Sequence, residues 1–443
     1  MQEKLLSGSV KTLLLKITNI GTLFLVSVLL ARTLGAEEYG SYIFVFTLVG
    51  LLSEPLFVGL RTVALRNGTI YIQEHKYGLL RGLANRLRLF MLTYGAITAL
   101  GLFVALWLMQ DKLGANFGWT FLFAAALPFL LGFNRINDGL LRASGKALIS
   151  QIPKLVARPV LLLAYIYIST LLIEDRFDAG WALATQALAA GSAFLLYIYF
   201  LRRHLHVKIC TARAQYKTRT WFQEALPLAA STAVHALDAR IGILLVGALI
   251  ASSDTGVFHA AFRLAELVVL IHSSANLMIE PMIVRLHSRG NMAELQSKLT
   301  KLTRLVSVAS VPIIVIMILY GEWLLSLFGD EFRAAAPALQ ILAFTQLVHV
   351  CLGSPAILLN LTKHGKETAT GLAGGVVVNV CLCLILIPML GLVGAAWAAL
   401  GSMFTTKIYL TLRAQQLLGI NTSILGLPPK SKEELNASRV SSN

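Results

Sequence analysis

Twelve apolar stretches, each about long enough to cross a bilayer as a helix, follow one another with little chain between them. They run near 10–31, 41–64, 89–110, 117–140, 155–173, 179–201, 222–250, 256–284, 305–328, 334–361, 368–389 and 392–412. Period-two alternation is almost absent, so the spans read as helices and not as barrel strands. Hydrophobic residues make up 56% of the 443 and charged residues only 14%, with a mean hydropathy of +0.72. That excludes an ordinary soluble enzyme. The first run, near 12–31, is too long for the apolar part of a signal peptide and reads as the first span.

A net charge of +16 would suggest nucleic acid in a soluble protein. Here the basic residues fall in alternate loops. Arg66, Lys76, Arg81, Arg86 and Arg88 follow the second span, and Arg142, Lys146, Lys154 and Arg158 follow the fourth. Arg202, Arg203, Lys208, Arg213, Lys217 and Arg219 follow the sixth, and Arg285, Arg289, Lys298, Lys301 and Arg304 the eighth. Lys363 and Lys366 follow the tenth. The other loops hold few bases (Arg32, Lys112, Arg176, Arg333) beside acids such as Glu37, Glu38, Glu174, Asp175, Asp178, Asp330 and Glu331. The positive-inside rule therefore predicts a multi-pass protein with both termini in the cytoplasm, and no nucleic-acid partner. Cys381 and Cys383 lie roughly 200° apart around a helix and cannot grip one metal from one face; no metal or other cofactor is expected.

The second half echoes the first. LGAEEYGSYIFVF at 34–46 matches IASSDTGVFHAAF at 250–262 in its glycine and both following aromatics. LLRASGK at 140–146 pairs with LLNLTKHGK at 358–366, and DAGWALA at 178–184 with LVGAAWA at 392–398. The offsets are all near 215–220 residues. Six spans per half predict a parallel repeat with a substrate path between two lobes. The expected organisation is an N-terminal six-helix lobe over 1–201, a cytoplasmic linker over 202–221, a C-terminal six-helix lobe over 222–420, and a disordered cytoplasmic tail over 421–443. GLLRASGKA at 139–147 imitates a phosphate-binding loop, but has five residues between its glycines, Ala where Ser or Thr must reach magnesium, and no preceding strand.

Ionisable groups inside spans are costly and usually face a cavity. The pair of spans within 221–286 carries several. Glu224, Ser231, His235 and Asp238 share one helical face, within about 60°. Arg240 lies roughly 200° from Asp238 and must find its partner on another helix, in water or on a ligand. Arg263 and Glu266 are spaced to form an ion pair. His272 points the other way from that pair, and lone histidines such as His349 are expected to be hydrogen-bonded within the bundle. Arg61, Arg135 and Lys16 lie near predicted helix ends, where long cations snorkel to water. Glu54 and Glu280 precede prolines, where a loosened backbone and water would accommodate them. Gly371, Gly374 and Gly375 are read as close-packing positions.

Four blocks carry a family resemblance: LARTLGAEEYG at 30–40, LDAR at 237–240 with TGVFHAAFRLAE at 255–266, FGDEF at 328–332 with LQILA at 339–343, and IPMLGLVGA at 387–395. With these the chain, up to about Gly419, resembles the polysaccharide-biosynthesis, O-antigen flippase (Wzx-type) members of the multidrug/oligosaccharidyl-lipid/polysaccharide exporter superfamily. The resemblance implies a two-lobed bundle with a cationic cavity that works by alternating access in a bacterial inner membrane. The implied cargo is an undecaprenyl-pyrophosphate-linked glycan unit for O-antigen in lipopolysaccharide, capsule or exopolysaccharide, moved from the cytoplasmic to the periplasmic leaflet. It further implies membrane lipid, a coupling proton or sodium ion, and the polysaccharide polymerase and chain-length machinery as partners, and no covalent chemistry.

Carrying a pyrophosphate through hydrocarbon needs fixed positive charge in place of water, and arginine's planar fork suits phosphate. Arg240 and Arg263, then Arg61, Arg135 and Lys16, are the expected cargo-binding residues. Asp238, Glu266, His272 and His235 are the expected ion-coupling residues. A cation-coupled multidrug exporter of the same superfamily is the alternative, for which an acidic cavity would be expected. A membrane glycosyltransferase or glycan ligase is a third reading, disfavoured because no predicted outer loop is long enough to build an external active site.

Overall fold

The computed structural model describes residues 2–108, 117–173, 177–210 and 212–426. Lys112, Glu174, Asp175, Arg176 and Pro428 to Lys430 lie outside these. Among the described residues the regular structure is helical, with no strand, and ten helices are long and apolar enough to cross a membrane. The chain forms two compact units, Met1–Arg240 and Ile241–Asn443.

The first unit holds α1 (Gln2–Gln73), α2 (Tyr77–Trp107), α3 (Phe117–Ala143), α4 (Ala147–Ile173), α5 (Ala179–Cys210) and most of α6 (Thr218–Leu249). The first two predicted spans both lie within α1, which is two helices meeting at a kink at Gly35, whose φ of 70° and ψ of 176° a β-carbon would resist. A π-turn over Pro153–Ala157 interrupts α4 where proline lacks the N–H that an α-turn needs. Instead of a linker beginning at 202, α5 runs on to Cys210, and only a short non-helical segment, 212–217, is described before α6.

α1 packs on α2 and α3, and α3 on α5. Phe57, Leu60, Leu80, Leu83, Leu87 and Ile136 fill the seam. Trp221, at the start of α6, is buried there: its ring meets Tyr71 edge-on and its Nε1 donates to the Tyr71 hydroxyl at 3.0 Å, so a large apolar side chain is buried with its one donor satisfied. The opposite surfaces expose Leu171, Leu172 and Leu195, as a lipid-facing wall requires.

The second unit begins within α6 and continues through α7 (Ser252–Ser288), α8 (Met292–Leu319), α9 (Gly321–Ser326), a 3-10 turn (Asp330–Ala335), α10 (Ala336–Cys351), α11 (Pro355–Leu361), α12 (Gly365–Leu390) and α13 (Leu392–Leu418). The tenth predicted span is two helices, not one: the chain breaks at Gly353 (φ 67°) before Pro355. α8 starts on a reciprocal cap, Asn291 accepting from the Glu294 N–H and donating to its carboxylate. α12 and α13 pack closely because Gly371 and Gly375 leave room for Leu410 and Thr406, and Ser402 Oγ donates to the Gly375 carbonyl at 2.9 Å. Gly374 faces open space.

The tail departs from expectation at its start. Gln296 donates to the Asn421 carbonyl at 2.7 Å, Thr303 to that of Thr422, and Arg304 to that of Ile424, while the Ile424 N–H bonds the Cys351 carbonyl. These polar side chains of α8 satisfy the backbone of 421–426 and hold it down, so the disorder expected from residue 421 is not found there. The remainder of the expected tail lies outside the described residues.

Candidate functional site

Of the expected cargo and coupling residues, Arg61, Arg135 and Arg240 meet acids in the first unit, while Arg263, Glu266 and His272 lie in the second. In the first unit two carboxylates are each shared by two arginines. Glu54, on α1, takes Arg135 Nη2 from α3 on one oxygen at 2.6 Å, and Arg240 Nη2 from α6 stands 3.6 Å from its other oxygen. Asp138, on α3, takes Arg61 Nε from α1 at 2.5 Å and Arg142 Nε from its own helix at 2.9 Å. Pro55 lies inside α1, and the Glu54 carboxylate beside it is met by guanidinium groups. Arg61 and Arg135 do not snorkel: each reaches sideways to an acid on a neighbouring helix.

Local sequence explains the geometry. Gly50 lies one turn before Glu54, and a β-carbon there would come 3.0 Å from Arg240 Nε. A β-carbon at Gly59 would come 2.7 Å from the Ala225 carbonyl. Glycine at both places lets α6 lie close to α1, and Asn67 donates to Glu224 at 2.8 Å farther along the same seam.

More cations than acids surround this centre. Lys154, on α4, makes no hydrogen bond or ion pair among the described residues and lies within electrostatic reach of Arg135, Asp138, Glu54 and Arg61. Arg158, one turn on, donates to Gln186 on α5 at 3.1 Å, and Gln186 donates to the Tyr42 hydroxyl at 2.7 Å. Its Nε is buried without a partner among the described residues. Arg61, Arg135 and Arg240 keep 22–27% of their side-chain surface accessible, so a ligand can approach them. Asp138, at 3%, is sealed in. Such a centre has spare positive charge and guanidinium forks, suited to an anion with several oxygens. Lys16 is exposed on α1, His235 is exposed on α6, and Asp238 is half-buried there. Among the described residues neither Lys16 nor His235 pairs with Glu54 or Asp138.

The second unit holds Arg263, whose Nη1 donates to Glu266 at 2.7 Å, the pair expected from their spacing. His272 is buried elsewhere on α7. Its Nε2 shares a 3.0 Å hydrogen bond with Ser354 Oγ, which donates to Asn276 Oδ1 at 2.7 Å. The His272 ring meets that of His349 edge-on, with centroids 4.6 Å apart, and His349 Nδ1 lies 3.4 Å from Met403 Sδ. Lys407, on α13, is buried and donates to the Gly353 carbonyl at 2.6 Å. Among the described residues no carboxylate pairs with it, and no trio of His, Cys, Asp or Glu is placed to hold a metal. Sequence reasoning missed Asp138, Arg142, Lys154, Arg158 and Lys407. Asp138 and Arg142 carry an i,i+4 signal, and Lys407 is a lone lysine in an apolar span.

Residues 29–337 match the family described as polysaccharide biosynthesis protein. The chain belongs to that family. It is 22% identical over 401 residues to the probable low-salt glycan biosynthesis flippase Agl15 of Haloferax volcanii, a match covering 88% of this chain and 79% of that one. The probable flippase AglR of the same organism is 26% identical over 191 residues, covering 42% of this chain and 39% of that one. In fold the family member is similar to a multidrug resistance MATE family transporter of the MOP superfamily in an inward-facing conformation, with a TM-score of 0.76 at 16% identity over 95% and 96% of the two chains. It is also similar to the lipid II flippase MurJ, with a TM-score of 0.70 at 13% identity over 92% and 87%. The chain is thus a multi-pass membrane protein of that family, and its fold is similar to those of these two transporters.

Proposed function

We propose that the protein flips a lipid-linked glycan between membrane leaflets, with the phosphate-bearing head seated on Arg135 and Arg240. The observation that carries this is the sharing of Glu54 between the two arginines, one contact tight and the other loose. An arriving pyrophosphate supplies more oxygens than one carboxylate and competes with Glu54 for both forks. Arg61, Lys154 and Arg158 add positive charge nearby. A cationic drug meets repulsion at such a centre, which favours the glycan carrier over the multidrug reading. Arg263, held by Glu266, is assigned to the cargo path of the second unit.

The full reading is of a polyprenyl-pyrophosphate-linked repeat unit, for O-antigen, capsule or exopolysaccharide, moved outward across a bacterial inner membrane by alternating access, with the chain's termini in the cytoplasm. A proton or sodium ion drives it. His272 is the best-placed coupling candidate, being buried and joined through Ser354 to Asn276; Asp238, Glu266 and His235 have weaker claims. The test uses proteoliposomes holding the purified protein and a fluorescent polyprenyl-pyrophosphate oligosaccharide. Protein-dependent loss of accessibility to an external quencher, responsive to an imposed gradient, supports the reading. An unchanged distribution with folded protein would overturn it and direct attention to cation efflux.

A further inference from the structure

Three helical stripes meet at one end of the first unit and enclose a cavity of about 440 Å³. On α2, Arg81, Asn85 and Arg88 are spaced four and three residues apart and share one face. On α5, Phe194, Ile198, Leu201 and Leu205 form an apolar stripe of the same period, with Arg202 beside it. Phe133, on α3, closes the third side, its ring 5.7 Å from that of Phe194. The α2 wall is therefore cationic, and the α5 wall is apolar with Arg202 at its edge. Among the described residues no carboxylate lines the cavity, which contrasts with the acid-bearing centre at Glu54 and Asp138.

The segment 212–217 fixes the cationic wall. Arg81 Nη1 donates to the Ala212 carbonyl at 2.9 Å, the Gln215 N–H bonds the Gly78 carbonyl at 2.9 Å, and Arg86 lies over the Tyr216 ring at 4.7 Å. Arg81 is one turn from the start of α2, and Arg202 is two turns from the end of α5. The cavity thus sits where helix ends meet the membrane surface, the level at which lipid headgroups lie.

We propose that this cavity binds a phosphate-bearing lipid, its anionic headgroup on Arg81, Arg88 and Arg202 and the first part of its tail against Phe133, Phe194 and Ile198. A soluble anion has no use for the apolar wall, and a neutral lipid has no use for three arginines. The same chemistry has two sources: an anionic glycerophospholipid of the bilayer, or a polyprenyl diphosphate. The inference does not rest on the transport reading, because it concerns a separate cavity and is read by binding alone.

The experiment is native mass spectrometry of the full chain in detergent, titrated separately with phosphatidylglycerol, polyprenyl diphosphate and zwitterionic phosphatidylcholine. The variant carries Arg88→Ala and Arg202→Ala, both exposed positions. Loss of two charge-assisted contacts weakens anionic-lipid binding at least about tenfold, with phosphatidylcholine binding unchanged and the same melting temperature. The lipid whose binding falls names the source. Equal binding of both anionic lipids by the variant and the wild type overturns the proposal. A photoreactive analogue of the bound lipid, used on the unmutated protein, should label peptides within 77–91 and 194–205; labelling confined to other peptides also overturns it.

Discussion

Arg240 stands 3.6 Å from a Glu54 oxygen, beyond hydrogen-bond range, while Arg135 holds the other oxygen at 2.6 Å. The two arginines are therefore unequal. Arg135 is fixed by its acid, and Arg240 is the one with donors to spare for a ligand. Arg240→Ala should lower the flipping rate by about tenfold or more, since charge-assisted contacts contribute about 1.5–3 kcal/mol each, with little change in thermal midpoint. Arg240→Lys should recover only part of the rate, because an ammonium lacks the planar fork. Gly50→Ala gives an independent check. The new β-carbon falls 3.0 Å from Arg240 Nε, at the far end of a flexible side chain, so the guanidinium moves while the helix stays. Transport should fall without loss of folding; a full rate in both Arg240→Ala and Gly50→Ala would remove Arg240 from the site.

Asp138 plays a different part. It is sealed from solvent and is the acid that Arg61 and Arg142 share. Removing it strands two arginines that keep 22% and 27% of their side-chain surface accessible, so the cost falls below the about 3–5 kcal/mol of a fully buried pair. Asp138→Ala should therefore lower the melting temperature in detergent well before any transport assay becomes informative. Asp138→Asn, which retains an acceptor but not the charge, should fall between it and the wild type.

The α12–α13 contact offers a paired comparison on one helix. Gly375 faces Thr406 and Ser402 with no space for a methyl group, and overpacking of this kind costs about 1–3 kcal/mol. Gly374 faces open space, so Gly374→Ala should be neutral or slightly stabilising while Gly375→Ala lowers the melting temperature. Equal melting of the two variants would mean that the helices can separate freely.

Much of this architecture is legible from hydropathy alone, because in hydrocarbon every backbone polar group must be satisfied within its own helix. Helix 365–390 and the Arg263–Glu266 pair follow from apolar length and from i,i+3 spacing, both local properties. The Glu54 centre does not. Its members come from α1, α3 and α6, separated by 81 residues between Glu54 and Arg135, and no local period joins them. The sequence marks Glu54 only as an acid before a proline and carries no sign of the two arginines that meet it. Lys407 was readable as an anomaly but not as a contact, since its acceptor at Gly353 exists only because the chain breaks before Pro355.

That buried lysine carries the last prediction. Lys407 donates to the Gly353 carbonyl and lies near His272 and His349, and among the described residues no carboxylate faces it. An unpaired ammonium in an apolar interior is costly, and a methionine of similar shape removes that cost but leaves the carbonyl without its donor. The two effects oppose, so Lys407→Met should change stability by no more than about 2 kcal/mol in either direction. Function should respond more. If the Lys407, His272 and His349 group exchanges a proton during the cycle, flipping by Lys407→Met should lose its dependence on an imposed pH gradient while gradient-free exchange persists. His272→Asn should have the same effect, because it keeps a polar group toward Ser354 and removes the titrating ring. Rates measured in proteoliposomes across a range of internal and external pH decide it. A gradient response in both variants equal to that of the wild type would exclude this group from coupling and return attention to Asp238 and Glu266.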